Sequence, residues 1–122
     1  MYHKDLEVYK KSIEFVKDIY QITAKYPREE QFGLVSQMRR AAVSIPSNIA
    51  EGNARFSDRD TSRFVDMALG SLAEVDTQLL LSLELNFIAK VEYSYLLVKV
   101  QNIQALLVGL RKFFKSKEKE KE

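Results

Sequence analysis

Apolar residues recur along most of this chain in alternating steps of three and four. Leu6, Tyr9, Ile13, Val16, Tyr20 and Thr23 form the first series. That spacing belongs to a helix packed along a bundle seam and predicts a helix from about Asp5 to Ala24. Pro27 restricts Tyr26 and stops it, and Pro27-Arg28-Glu29-Glu30 reads as the first turn of a second helix, with its acids near the positive end of the helix dipole. Val35, Met38, Ala42, Ile45 and Ile49 continue the spacing until Gly52 and Asn53 close that helix. Pro46 lies inside it. An interior proline removes a backbone hydrogen bond and crowds the carbonyl four residues earlier, here that of Ala42, so a kink is expected, with Ser44 and Ser47 placed to satisfy the freed groups. Ser57 followed by Asp60 resembles a capping box and opens a third helix, whose core stripe is Val65, Ala68, Leu72, Val75, Leu79 and Leu83. After a break beyond Asn86, Tyr93, Leu96, Val100, Ile103, Leu107, Leu110 and Phe114 give the cleanest heptad spacing of all.

Short connections force successive helices to run antiparallel. The fold class is therefore all-α, an up-down-up-down antiparallel four-helix bundle over residues 1–115. Residues 116–122 alternate Lys and Glu without an apolar anchor and read as a charged flexible tail, a fraying helix end or a disordered one.

Two helices carry more apolar surface than one seam needs. Val8, Phe15, Ile19, Ile22 and Tyr26 form a second stripe beside the first on helix one, and Tyr95, Leu106 and Phe113 point away from the seam of helix four. Large apolar patches are unusual on soluble monomers, so these residues are the candidate interface of a homo-oligomer. The competing reading is a broad stripe shared between two neighbouring helices, with a few exposed aromatics of no consequence.

Several polar residues fall in unexpected places. Asp76 shares a side of helix three with Leu69, Leu72 and Leu83, where an ionised carboxylate needs a partner. Arg39, in the apolar flank of helix two, is the candidate partner in a structural ion pair, with Arg40 the other donor. Gln37, Arg40, Ser44, Asn48, Glu51 and Arg55 line another face of helix two. Their directional hydrogen-bonding groups suit a nucleic-acid backbone or a neighbouring subunit, and a solvated face is the plain alternative. Arg111, Lys112 and Lys115, with Lys117, Lys119 and Lys121 beyond them, add a basic end that Glu118, Glu120 and Glu122 dilute.

Composition then narrows the field. With 122 residues, 46% hydrophobic and 30% charged, and only four Gly and two Pro, the chain suits one helical domain with short loops. There is no cysteine, so disulfides, zinc-thiolate sites and thiol nucleophiles are excluded, and the expected compartment is the cytoplasm. The N-terminus lacks the apolar core of a signal peptide, and no apolar run is long enough to cross a bilayer. The sole histidine is His3, so the Glu-x-x-His ligands of di-iron bundles are not available. No glycine-rich phosphate loop or nucleophile–base set occurs, and the expectation is a non-enzyme without cofactor or metal. Net charge is only +2, with an acidic stretch from Asp58 to Glu84 and a basic one from Lys90 to Lys117.

Phe32-Gly33-Leu34, Ser36-Gln37-Met38-Arg39-Arg40-Ala41-Ala42 and Ser44-Ile45-Pro46-Ser47-Asn48-Ile49-Ala50-Glu51-Gly52 together resemble the four-helix-bundle family of 23S rRNA intervening sequence proteins, also described as S23 ribosomal protein-like. Asp18-Ile19-Tyr20 with Pro27, and Gly70-Ser71-Leu72-Ala73-Glu74, fit the same pattern, so the likeness covers nearly all of the chain but the tail. The resemblance implies a pentameric ring of antiparallel bundles. The family is also similar to the accessory protein of diversity-generating retroelements, which works with a reverse transcriptase, and both associations point towards RNA or DNA. The expected function is thus a homo-oligomeric adaptor that binds nucleic acid or a nucleoprotein enzyme through repeated basic surfaces. The alternative is a protein-interaction scaffold without nucleic-acid binding.

Overall fold

The computed structural model describes residues 3–121, with side chains described through residue 119; Glu122 of the charged tail lies outside the described residues. Four helices follow one another: α1 (Glu7–Thr23), α2 (Leu34–Asn53), α3 (Asp58–Glu84) and α4 (Lys90–Lys121), with short 3-10 turns at His3–Asp5 and Arg28–Glu30. α2 packs on α1 and α3, and α4 closes the ring between α3 and α1, so the helices form the antiparallel up-down-up-down bundle. The α1–α4 seam is the sparsest of the four. The segment from residue 116 onward continues α4 as helix to Lys121.

Local chemistry explains where the helices start and stop. Ser57 caps α3, its hydroxyl accepting from the Asp60 amide at 3.1 Å. At the other end of α3, Asn86 adopts the left-handed conformation with φ 63°. Phe87 then donates to the Ser82 carbonyl at 2.8 Å and Asn86 to that of Leu83 at 3.0 Å, which satisfies carbonyls the helix end leaves free. Glu92 reaches back to the Ala89 amide at 2.8 Å and so starts α4.

Helix two departs from expectation at its beginning. Arg28–Glu30 is a separate 3-10 turn behind Pro27, and Gly33, at φ −108° and ψ −110°, breaks the chain before α2 restarts at Leu34. The interruption leaves Phe32 on a protruding turn, 92% exposed. Pro46 is buried within α2, which remains helical through it. Ser44 and Ser47 donate not to the Ala42 carbonyl but to its neighbours, those of Ala41 (2.8 Å) and Val43 (2.9 Å). Gly52 is not a left-handed cap either. It allows α2 and α3 to approach, since a Cβ there would lie 2.8 Å from that of Phe64.

The core corrects the assignment of stripes on α1. Val8, Phe15, Ile19, Ile22 and Tyr26, assigned to an oligomer interface, are buried inside the bundle. Ile13 and Tyr20, assigned to the seam, are 38% and 43% exposed, while Leu6, Tyr9 and Val16 are partly buried. The true stripe is Val8, Ser12, Phe15, Ile19, Ile22 and Tyr26, spaced as regularly as the other but interrupted by a serine. Ser12 is fully buried and donates to the Val8 carbonyl at 2.8 Å, so its hydroxyl needs no water. On α2, α3 and α4 the expected residues do fill the core, among them Met38, Ile45, Val75, Leu79, Leu96, Ile103 and Leu107.

Candidate nucleic-acid interface

The surplus apolar surface of α1 therefore faces α2 and solvent. There, Tyr20 of α1 meets Phe32, Arg39, Arg40 and Val43 along an open groove of about 640 Å³, edged by Ser36, Ser44 and Ser47. Among the described residues no acidic side chain lines it. Arg39 is held in place by neutral groups: its Nε donates to Thr23 Oγ1 at 3.0 Å and its Nη2 to the Tyr20 carbonyl at 3.2 Å. The guanidinium also lies over the Tyr20 ring, 4.5 Å from the centroid. Thr23 is oriented in turn by its own bond to the Ile19 carbonyl at 2.6 Å. Among the described residues neither Arg39 nor Arg40 has a carboxylate partner.

This arrangement replaces the Arg39–Asp76 pair expected from the sequence. Arg39 leans from α2 onto α1, whereas Asp76 is half-buried on α3 and forms no ion pair among the described residues. Asp76 shares its flank of α3 with Leu69 and Leu83, and α1 and α3 stand diagonally across the bundle, which puts the acid beyond reach of a side chain committed to α1.

The polar stripe of α2 is divided by the structure. Gln37 and Arg40 are exposed, and only Arg40 enters the groove. Asn48, half-buried, donates to the Ser44 carbonyl at 2.8 Å. Glu51 and Arg55 pair with each other at 3.9 Å, and Arg55 also covers the Phe64 ring at 4.7 Å. At this end of the bundle Arg55 shares a hollow with Phe56, Phe113 and Lys117. Lys112 and Lys115 are exposed nearby on α4, while Arg111 is bound to Asp66 of α3. The candidate binding residues thus do not form one patch. Tyr20, Phe32, Ser36 and Ser47 were missed, because the groove draws on α1, a turn and α2, and no local motif joins them.

Cations on the α4 side of α1 are treated differently. Lys99 is bound by Asp18 and lies 4.6 Å from the Tyr95 ring centroid. Partial burial pushes the Lys99 ammonium down, but its hydrogen bonds to Asp18 and Tyr95 and their charges outweigh this and raise its pKa.

The outward face of α4 carries Val91, Tyr95, Val98, Asn102, Ala105, Gly109 and Phe113 in steps of four and three, and none of them is charged. Val91 is 79% exposed, Tyr95 57%, Val98 56% and Phe113 50%. Leu106, grouped with Tyr95 and Phe113 by the sequence, is partly buried against the core. No helix among the described residues is long and apolar enough to cross a membrane.

Residues 4–109 match the family described as 23S rRNA-intervening sequence protein. Among solved structures, the chain is similar to a protein with unknown function from the S23 ribosomal protein family of Bacteroides thetaiotaomicron VPI-5482, at a TM-score of 0.81 and 26% identity, covering 92% of this chain and 99% of the other. No curated protein matches the chain.

Proposed function

The chain belongs to the 23S rRNA-intervening sequence protein family, and on that premise we propose that it is a non-catalytic, homo-oligomeric protein that binds nucleic acid through cationic surfaces repeated around the assembly. One observation carries the reading: the α1–α2 groove holds two arginines that no carboxylate among the described residues neutralises. A cation fixed by neutral oxygens keeps its charge for a ligand, and guanidinium matches phosphate through parallel hydrogen bonds. The groove offers Arg, Ser, Gln and aromatic side chains without a carboxylate, His or Lys, a set suited to binding rather than to proton transfer near neutral pH.

Assembly supplies the affinity that one nearly neutral subunit lacks, since linked sites bind with high effective concentration. The uncharged outward stripe of α4 is the face we assign to subunit contact, with Ala105 and Gly109 permitting close helix approach and the family resemblance implying five copies. In sedimentation equilibrium the wild type is expected to run as an oligomer and Val98→Glu as a helical monomer. Labelled RNA and DNA are expected to bind the wild type at low salt, with affinity falling steeply as salt rises and with Arg40→Glu. A wild type that stays monomeric at micromolar concentration overturns the assembly, and absence of all binding at low salt overturns the nucleic-acid role.

The scaffold reading draws on the same α4 stripe, which equally suits an apolar helix of another protein. Capture of a protein partner that survives nuclease and high salt, by wild-type protein that neither binds nucleic acid nor self-associates through α4, favours it.

A further inference from the structure

We propose that the α1–α2 groove takes unpaired nucleotides, stacking a base on Phe32 while Arg39 and Arg40 hold the adjoining phosphates, so that the protein prefers single strands to duplexes. The inference rests on the nucleic-acid reading above and names the form of nucleic acid that this groove fits. Phe32 is 92% exposed on the turn ahead of α2, where its ring does nothing for the core, yet it stands at the edge of a groove with two uncompensated guanidinium groups. An exposed aromatic ring beside cations is how single strands are bound without sequence preference, because every base has a face to stack and every linkage a charge. In a duplex those base faces are already covered by neighbouring pairs, so Phe32 has nothing to receive.

The other groups divide the ligand in the same way. Arg39 is already oriented by Thr23 and Tyr20, so little side-chain freedom is lost when its remaining N–H groups meet a phosphate. Ser44 and Ser47 use their protons on their own helix, at 2.8 and 2.9 Å, which leaves them as acceptors. Acceptors repel phosphate oxygens but suit base amino groups and sugar hydroxyls, as a strand lying with its bases over α2 requires.

The chain has no tryptophan, so Phe32→Trp introduces a single indole reporter, excited selectively over tyrosine, at an exposed site. The probes are oligo(U) and oligo(dT) of about ten nucleotides and a blunt duplex of equal length, titrated at low salt with the assembled protein. Single strands are expected to bind at least about tenfold tighter than the duplex and to quench the indole fluorescence of the Phe32→Trp protein, while Phe32→Ala lowers single-strand affinity about tenfold and leaves the duplex unchanged. Comparison of oligo(U) with oligo(dT) identifies RNA or DNA as the better source of the same chemistry, and preference for either supports the inference. Equal binding of duplex and single strand, with the indole unquenched, overturns it while the nucleic-acid reading stands. No binding of any probe overturns both.

Discussion

On the α4 side of α1, Lys99 is met by Asp18, and across the next seam Arg111 of α4 is met by Asp66 of α3. On the α2 side of α1, Arg39 is equally well positioned but by a hydroxyl, a carbonyl and a ring, while Arg40 beside it is exposed. Both arrangements hold a cation across a helix seam. Only the first cancels its charge. Counting cations thus misplaces the basic surface of this protein: Arg111 contributes to the basic end of the sequence yet belongs to a structural pair. The half-buried Arg39 instead faces the side that carries the exposed rings Tyr20 and Phe32.

The comparison depends first on which stripe of α1 is inside. Phe15 is fully buried, and Phe15→Ala should cost about 3–5 kcal/mol through lost burial and the cavity left behind. Tyr20→Ala on the opposite seam should cost about 1 kcal/mol, because much of that ring already faces water. Denaturant unfolding at one fixed protein concentration measures both, and a larger loss for Tyr20→Ala than for Phe15→Ala would mean that α1 packs with the other stripe inward.

Exchanging the charge environments is the next test. Ser47 stands seven residues from Arg40 on the same face of α2, so Ser47→Glu places a carboxylate in the groove and should weaken oligonucleotide binding roughly tenfold with the fold intact. Asp18→Asn does the reverse on the α4 side. It should cost about 1 kcal/mol or less, the pair being partly solvated, and should leave binding undiminished. Were Ser47→Glu silent and Asp18→Asn to tighten binding severalfold by freeing Lys99, the cationic site would lie along α4 instead.

The sequence carries this contrast only partly. Helices α2, α3 and α4 announce their buried faces because Met38, Ile45, Val75, Leu79, Ile103 and Leu107 are apolar at regular steps, and their burial follows the spacing. On α1 two equally regular stripes compete, and Ser12 makes the correct one look broken. A serine that donates to its own helix is indistinguishable by residue type from one that needs water. Arg39 misled for a related reason. A buried-flank arginine suggests a carboxylate, whereas its actual partners include Thr23 and a backbone carbonyl, which leave no charge pattern to find. The resemblance in the Phe32-to-Gly52 segment did cover the groove's α2 side and both of its cationic residues. The contribution of Tyr20 needs the antiparallel packing of α1 on α2 before it can be seen.

A last test is made in alkali. Burial raises the pKa of Tyr26 above its ordinary 10.0, and the charge of Glu92 adds to it. Ser82 gives its proton to the Gln78 carbonyl at 2.8 Å, and among the described residues the buried phenol oxygen of Tyr26 finds no hydrogen-bond partner. Lys99 is likewise raised above 10.5 by Asp18 and Tyr95, which overcome the burial that lowers it. In both cases folding favours the protonated form. Their contributions are therefore whole below the unfolded values of about 10.0 and 10.5 and are lost as pH climbs through the raised folded values, where the unfolded chain has released its protons first. Tyr26→Phe should remove the phenol's share of that alkaline decline and, by deleting an orphaned hydroxyl, raise stability near neutral pH by about 1 kcal/mol. Asp18→Asn should remove part of the Lys99 share and leave the Tyr26 share. Thermal melts across the alkaline range separate them: a Tyr26→Phe protein that melts lower than wild type at neutral pH would show that the hydroxyl has a partner, and that the α1–α2 end of the bundle is more tightly bonded than its geometry indicates.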